Sequence, residues 1–380
     1  MVCSVISYIV LPLSFLSYIL LVIIPEAGQF LIVVLSFIIQ FIHRTLHFIQ
    51  AIPFGHIIVG KPHDVIIFLL FLSIFIALLQ WENKGKHWII KAIVPMMVIL
   101  IVHFIAPFLN PERKVTILDV GQGDSILIEL PYRKAVYLID SGGLVSFSND
   151  EEWQKRRKTF EIGQDIVVQT LKAKGIRQID RFLLTHGDYD HIGGAQAVIK
   201  ELEVEQILYP VGPVHGKEER GLLEEAEKNG VPVVFIGEGV KWSEGNNNFQ
   251  VLNPVGYESE KNERSIVLYA DLSGVKWLFT GDLESEGEER LIAQYPNLFV
   301  DVLKVGHHGS DTSTSEEFLE HLSPKIAIIS VGRSNRFGHP HQRVIKRLMD
   351  KKITILRTDE RGAITYRYTK NKQIFTWVIE

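Results

Sequence analysis

Cysteine is nearly absent. Cys3 is the only one among 380 residues, so no internal disulfide can form and the chain must be held together by burial. Charge is scarce in one part only. Residues 1–110 hold five basic side chains (Arg44, Lys61, Lys84, Lys86, Lys91) and three acidic ones (Glu26, Asp64, Glu82). The remaining 35 Lys/Arg and 41 Asp/Glu lie in 111–380, a net charge of −6 there. An acidic domain has no broad basic footprint of the kind that carries nucleic-acid binding, so any such contact must come from a local patch or a bound cation. No Lys or Arg precedes the first apolar run, and Pro25-Glu26 after it does not resemble a small-residue cleavage site, which argues against a signal peptide. Internal repeats and low-complexity segments are also lacking.

What is present divides at Asn110-Pro111. Before it lie four apolar runs, Val5–Ile24, Gln29–Ile42, Val65–Trp81 and Trp88–Leu109. Each reads as a candidate membrane-crossing helix, because about 20 apolar residues at 1.5 Å each span the hydrocarbon. The second run turns amphipathic through His43, Arg44 and His47. The loop 82–87 carries Lys84 and Lys86, with Lys91 close by, against Arg44 and Lys61 on the other side. By the positive-inside rule that loop faces the cytoplasm and the C-terminal part lies on the outer face of a multi-pass cell-membrane protein.

After Pro111, short β-branched strands alternate with helical segments. Strands are expected at Val115–Val120, Ser125–Leu130, Ala135–Ile139, Ser265–Leu272, Val275–Phe279, Val300–Val305, Ile326–Val331, Ile353–Leu356 and Ala363–Tyr368. Helices are expected at Ile166–Lys174, Gly194–Leu202, Gly221–Asn229, Glu284–Ala293 and His341–Lys351. Such a pattern points to a layered α/β domain.

The densest chemistry is Leu183-Leu184-Thr185-His186-Gly187-Asp188-Tyr189-Asp190-His191-Ile192-Gly193-Gly194. Four side chains able to hold a metal leave one strand end within six residues. In an extended backbone His186, Asp188 and Asp190 share one side, and a turn lets His191 rejoin them. Carboxylates packed this closely repel one another unless a cation joins them. Three further clusters sit at strand or helix ends: Thr280-Gly281-Asp282, Lys304-Val305-Gly306-His307-His308-Gly309-Ser310 and Gly338-His339-Pro340-His341.

The first cluster resembles the His-x-His-x-Asp-His signature of the metallo-β-lactamase superfamily, with Asp188 in place of the middle histidine. The set Asp119-Val120-Gly121-Gln122-Gly123-Asp124-Ser125, Leu138-Ile139-Asp140-Ser141-Gly142-Gly143, Asn262-Glu263-Arg264-Ser265-Ile266-Val267-Leu268 and His307-His308-Gly309-Ser310 is similar to the C-terminal domain of the ComEC family of DNA-uptake channels. That family has a soluble domain and further spans ahead of the region resembled here, so the chain resembles the C-terminal half of such a protein. The resemblance implies an αββα metallo-β-lactamase-like sandwich over 114–380, preceded by an α-helical transmembrane region over 1–110. It implies a metal-dependent hydrolase, a nuclease acting on DNA, single-stranded during uptake, with membrane lipid, an upstream channel half and other competence proteins as partners. Small-molecule hydrolysis and a non-catalytic role in the channel are the alternatives.

On this resemblance two divalent ions are expected. His186 and Asp188 hold one, Asp190 and His191 the other, Asp282 bridges, and His307 or His308 completes the second site. Asp190 and His339 are the candidate catalytic residues. Asp140 is expected to orient a metal-bound histidine. The superfamily's third metal histidine is not found; Asn262 sits near its place as a supporting residue. The oxygen-rich set favours Mn²⁺ or Mg²⁺ over Zn²⁺. Lys155, Arg156 and Arg157, with Arg333 and Arg336, are the local basic features available to contact DNA.

Overall fold

Apolar length and the prolines between runs set the helices of the N-terminal part. A computed structural model describes residues 6–51, 58–82, 87–143, 160–256, 260–333, 335–369 and 372–379. They form two units, Met1–Ile58 and Val59–Glu380. In the first, a π-helical turn Ile6–Val10 leads into the helix Leu11–Ile23, and Pro25 opens a second helix, Pro25–Ala51. Proline suits that opening position, where its lost N–H would have had no partner. A Cβ on Gly28 would lie 2.4 Å from the backbone of Leu21, so the two helices pack against each other through bare backbone.

The second unit starts with the helices Asp64–Glu82 and Trp88–Leu109. Among the described residues, Pro25–Phe48, Asp64–Glu82 and Trp88–Leu109 are long and apolar enough to cross a membrane by length and composition. The first apolar run forms the shorter helix Tyr8–Ile23. At 1.5 Å per residue it falls short of the ~30 Å hydrocarbon thickness.

From Arg113 onward the chain builds two facing sheets. In spatial order the first contains Lys372–Trp377, Ile364–Thr369, Arg113–Ile117, Ile126–Glu129, Val136–Ile139, Arg181–Leu183, Ile207–Pro210 and Val233–Ile236. The second runs Thr354–Arg357, Ile326–Ile329, Val302–Lys304, Val275–Phe279, Val267–Leu272, Asn247–Asn253 and Lys241–Glu244. Strand alternation sorts the side chains. Ile126 and Ile128 join Val251, Leu268, Trp277 and Phe279 in the core between the sheets. The outer face of the second sheet sends Leu252, Leu278 and Leu303 against Phe318, Val344 and Leu348 of the helices Glu316–Leu322 and Gln342–Asp350. On the first sheet's side, Val168–Ala173, Ala195–Glu201 and Gly216–Lys228 bury Leu171, Val198 and Leu222. The result is a helix–sheet–sheet–helix sandwich. The turns after Ile139, Leu183, Phe279 and Lys304 meet at one edge of it.

Candidate metal centre

Each ligand-type residue leaves the scaffold just after a strand. The strand Arg181–Leu183 stops at Leu183, and the backbone then turns rather than staying extended. Asp188 takes the N-cap position of the short helix Tyr189–Ile192, which carries Asp190 and His191. The expected strand-like alternation of His186, Asp188 and Asp190 therefore does not operate; one helical turn brings Asp190 and His191 back beside His186. Close packing makes this possible. A Cβ at Gly123 would lie 2.1 Å from the carbonyl of Asp190, and one at Gly143 1.9 Å from that of Tyr189. The 121–124 and 141–143 turns thus press bare backbone onto the ligand loop. Asp140, His307 and His308 all have left-handed backbone, with φ of 54°, 45° and 52°. Such conformations are uncommon for residues with a Cβ and mark turns held by their surroundings.

Three imidazoles converge on Asp282. His186, His191 and His308 are buried, and Asp282 is nearly so. From Asp282, His191 Nε2 stands 3.2 Å from Oδ1, His308 Nε2 3.6 Å from Oδ2 and His186 Nε2 4.0 Å from Oδ2. Asp190 Oδ2 is 3.4 Å from His308 Nε2. One ligand atom each from Asp190, His191, Asp282 and His308 lies within 4.8 Å of all the others.

The far nitrogens are already committed. His191 Nδ1 lies 2.8 Å from Asp140 Oδ2, His308 Nδ1 3.0 Å from the carbonyl of Ser330, and His186 Nδ1 3.1 Å from Thr185 Oγ1. Asp140 itself accepts from the N–H and the hydroxyl of Thr185 at 2.8 and 2.7 Å. Second partners of this kind orient metal-binding histidines. The inward Nε2 atoms of His186, His191 and His308, and Oδ1 of Asp282, are buried without a hydrogen-bond partner. Buried polar atoms are normally satisfied. Four that point at one place fit a cation.

The electrostatics agree. Burial alone would lower the His191 pKa, but the carboxylates of Asp282 and Asp140 overcome it and raise it well above 6.5. His308 shifts up for the same reason: burial opposes, while Asp282, Asp190 and Asp124 prevail. Burial would raise Asp190, yet the imidazoles of His308, 3.4 Å away, and His191 bring it down to about 2. Asp282 falls well below its ordinary value under the same imidazoles, against its burial. A divalent ion among these side chains would act on the carboxylates in the same direction.

The other expected residues lie around this cluster. Asp188 Oδ2 is 3.7 Å from His186 Nε2, while its Oδ1 pairs with Lys261 Nζ at 2.8 Å. It is 38% exposed, so it borders the centre from the solvent side. His307 Nε2 is 3.8 Å from Asp282 Oδ2, and its Nδ1 is 3.1 Å from Glu284 Oε1. Asn262 donates to that same Glu284 oxygen at 3.2 Å rather than turning inward. The His339 ring lies 5.8 Å from that of His307 and stacks on Phe337 at 6.0 Å. Burial, then the neighbouring His307 and His308, push its pKa down. The helix expected from His341 begins at Gln342, with His341 as its N-cap. Arg333 and Arg336 are exposed on the loop leading to His339. Lys155, Arg156 and Arg157 lie outside the described residues.

Sequence reasoning missed several supports. Lys304 is buried in an ion pair with Asp124, whose other oxygen lies 3.5 Å from His308 Nδ1. Ser265 Oγ accepts the Asp282 N–H at 3.1 Å, and Ser330 Oγ donates to the carbonyl of Gly123 at 2.8 Å. The only available signal was proximity to the motifs: Asp124 closes the 119–124 turn, and Lys304 stands three residues before His307. Beside the cluster opens a cleft of about 750 Å³ lined by Asp188, Lys261, Asn262, Glu284, Ser285 and Thr312 among others.

This sandwich, with strand-end histidines and aspartates gathered at one edge, defines the class of protein. Residues 118–333 match the model of the metallo-beta-lactamase superfamily, which is more than half of the chain, and the chain belongs to that superfamily. Residues 1–84 match the competence protein family. The chain is similar to "ComE operon protein 3" of Bacillus subtilis (strain 168), with 36% identity over 367 residues, 96% of this chain and 47% of that protein. It is also similar to "Competence protein ComA" of Neisseria gonorrhoeae, with 30% identity over 307 residues, 78% of this chain and 38% of that one. "Recombination protein 2" of Haemophilus influenzae is 28% identical over 264 residues, 69% and 30% of the two chains. The chain spans about half or less of the length of these relatives. It joins a competence-protein region to a metallo-β-lactamase domain, the pairing that the motifs resembling the ComEC family implied.

Proposed function

We propose that the chain is a membrane-anchored, metal-dependent phosphodiesterase that degrades single-stranded DNA during uptake. The observation that carries the reading is the convergence of three buried, unpartnered imidazole nitrogens on Asp282. The competence region and the names of the relatives supply the substrate class. In this reading residues 1–110 anchor the chain in the cell membrane and 114–380 form the hydrolase. The balance of Lys84, Lys86 and Lys91 against Arg44 and Lys61 puts the hydrolase on the outer face. An upstream channel half and other competence proteins are its partners.

Two divalent ions would be held, one by His186 and Asp188, the other by Asp190, His191 and His308, with Asp282 and His307 available beside them. The carboxylate share favours Mn²⁺ or Mg²⁺ over Zn²⁺. Such a pair, when bound, supplies hydroxide near neutral pH and neutralises charge on the phosphodiester. The remaining work falls to the side chains. Asp190, ionised above about pH 2, can accept a hydrogen bond from the attacking water. Asp140 fixes the ring of His191. His339, held neutral by burial and by its imidazole neighbours, suits hydrogen bonding to the phosphate better than delivery of a proton. Arg333 and Arg336, exposed on the loop leading to His339, and Lys261 in the cleft offer the incoming strand positive charge.

A lactam or thioester hydrolase would want an apolar cleft. Carboxylates dominate the cleft lining here, with Asp188, Glu260, Glu263, Glu284 and Glu286 around Lys261. The test is cleavage of an end-labelled single strand with Mn²⁺ and with chelator, alongside a chromogenic lactam. Mn²⁺-dependent shortening of the strand and no lactam turnover are expected. The reverse pattern would overturn the reading.

A further inference from the structure

The run Asn262-Glu263-Arg264-Ser265 stands where a third metal histidine was expected, and its arginine takes no part in the chemistry above. Arg264 is fully buried. An arginine that deep needs partners, and its two terminal nitrogens have them, while Nε has none. One guanidinium N–H donates to Glu219 Oε1 at 2.9 Å, another donates to the carbonyl of Pro213, and the group lies 6.0 Å from the ring centre of Tyr209. Glu219 is equally buried, and its other oxygen accepts the His215 N–H at 2.6 Å.

The pair touches the metal centre through Gly187. A Cβ at that position would lie 1.5 Å from Glu219 Oε1. The backbone between His186 and Asp188 therefore rests directly on the carboxylate. From the other side, the Arg264 N–H closes the turn 260–264 onto the carbonyls of Glu260 and Lys261 at 3.1 and 3.2 Å. That turn presents Lys261 to Asp188 and Asn262 to Glu284. Glu219 belongs to the helix Gly216–Lys228 beside the first sheet, whereas Arg264 precedes the second-sheet strand Val267–Leu272. A buried ion pair is weak evidence for stability, since apolar side chains of similar volume often do as well. What this one does is join the two halves of the sandwich under a ligand loop.

We infer that Arg264 and Glu219 are positioning residues that hold the His186-Gly187-Asp188 loop in shape for a divalent cation, with Gly187 as the shape requirement. Neither side chain touches the ion or the substrate. The inference rests on the metal-hydrolase reading and extends it.

The experiment is a Mn²⁺ titration by calorimetry on the full chain in detergent, paired with the metal-free melting temperature. The variants are Glu219→Gln, the apolar pair Arg264→Met with Glu219→Leu, and Gly187→Ala. Losing the support of a metal ligand typically weakens affinity about 10- to 100-fold. Each folded variant should therefore bind Mn²⁺ at least about tenfold more weakly at one site. The apolar pair should do so while melting within a few degrees of wild type. Unchanged Mn²⁺ affinity in folded Glu219→Gln and Gly187→Ala would overturn the inference, whatever the melting temperature. If the apolar pair does not fold, Glu219→Gln still decides. Failure of wild type to bind Mn²⁺ would instead overturn the metal reading itself, and only in that case does the wild-type arm fail.

Discussion

The helices Asp64–Glu82 and Trp88–Leu109 and the sandwich that follows them use the same apolar residues in opposite ways. Phe71 and Leu109 are 69% and 68% exposed, whereas Phe182 and Leu127 in the sandwich are completely covered. Conversely, the sandwich buries His186, His191, Asp140 and Lys304, while in these helices Ser73 is the one buried polar residue among those described. The first arrangement makes sense with hydrocarbon as the solvent and the second with water. A buried charge is tolerable only when paired, hydrogen-bonded or bound to an ion, so the interior of the sandwich is where chemistry is to be sought.

The contrast can be broken first by separation. Residues 114–380 alone should stay in solution without detergent, and residues 1–113 alone should not, as sedimentation will show. This is an all-or-none effect, and recovery of the 114–380 piece only in detergent would place the boundary elsewhere. Next is His191→Ala. It removes a nitrogen pointed at Asp282 and only a modest core volume. Mn²⁺-dependent strand cleavage should fall by more than about a thousandfold, given what metal ions contribute to hydrolysis, while the far-UV spectrum stays unchanged. Asp140→Asn keeps the volume but weakens the hydrogen bond that orients His191. Cleavage or metal affinity should drop about 10- to 100-fold, measured by the same assay.

Proton linkage sharpens the comparison further. In the metal-free protein the folded pKa values of His191 and His308 lie above the ordinary 6.5. Their contribution to stability is complete below about pH 6.5 and is lost as pH rises through the folded values. The metal-free melting temperature should therefore decline over that interval. Mn²⁺ affinity should rise over it, because the ion displaces those protons. Calorimetry in two buffers of different ionisation enthalpy would detect the released protons. A melting temperature independent of pH above 6.5 would count against this charge state.

Much of the sandwich was legible because its central strands are β-branched and end at Gly or Pro. The strand Val275–Phe279 was expected with those limits and forms with them. Asn247–Asn253, Lys241–Glu244, Ile207–Pro210, Val233–Ile236 and Lys372–Trp377 were not anticipated. Lys241–Glu244, Val233–Ile236 and Lys372–Trp377 are edge strands, Ile207–Pro210 has only four residues, and Asn247–Asn253 carries three asparagines and pairs through its neighbours on both sides. The helix Glu316–Leu322 was also missed. It is seven residues long and opens on Glu316-Glu317, with Phe318, Leu319 and Leu322 as its buried side chains. Within the site, the motifs pointed to the grouping of Asp190, His191, Asp282 and His308 that the structure shows, with His186 beside them. Supports such as Lys304–Asp124 and Arg264–Glu219 could not, because those pairs form between segments distant in sequence.

The central claim is that the Asp282 cluster holds divalent ions, and metal content tests it most directly. After loading with Mn²⁺ and desalting, elemental analysis of the folded wild-type chain should find close to two ions per chain, and of Asp282→Ala one or none. Wild-type protein that retains no Mn²⁺, or an Asp282→Ala variant that retains as much as wild type, would contradict the account.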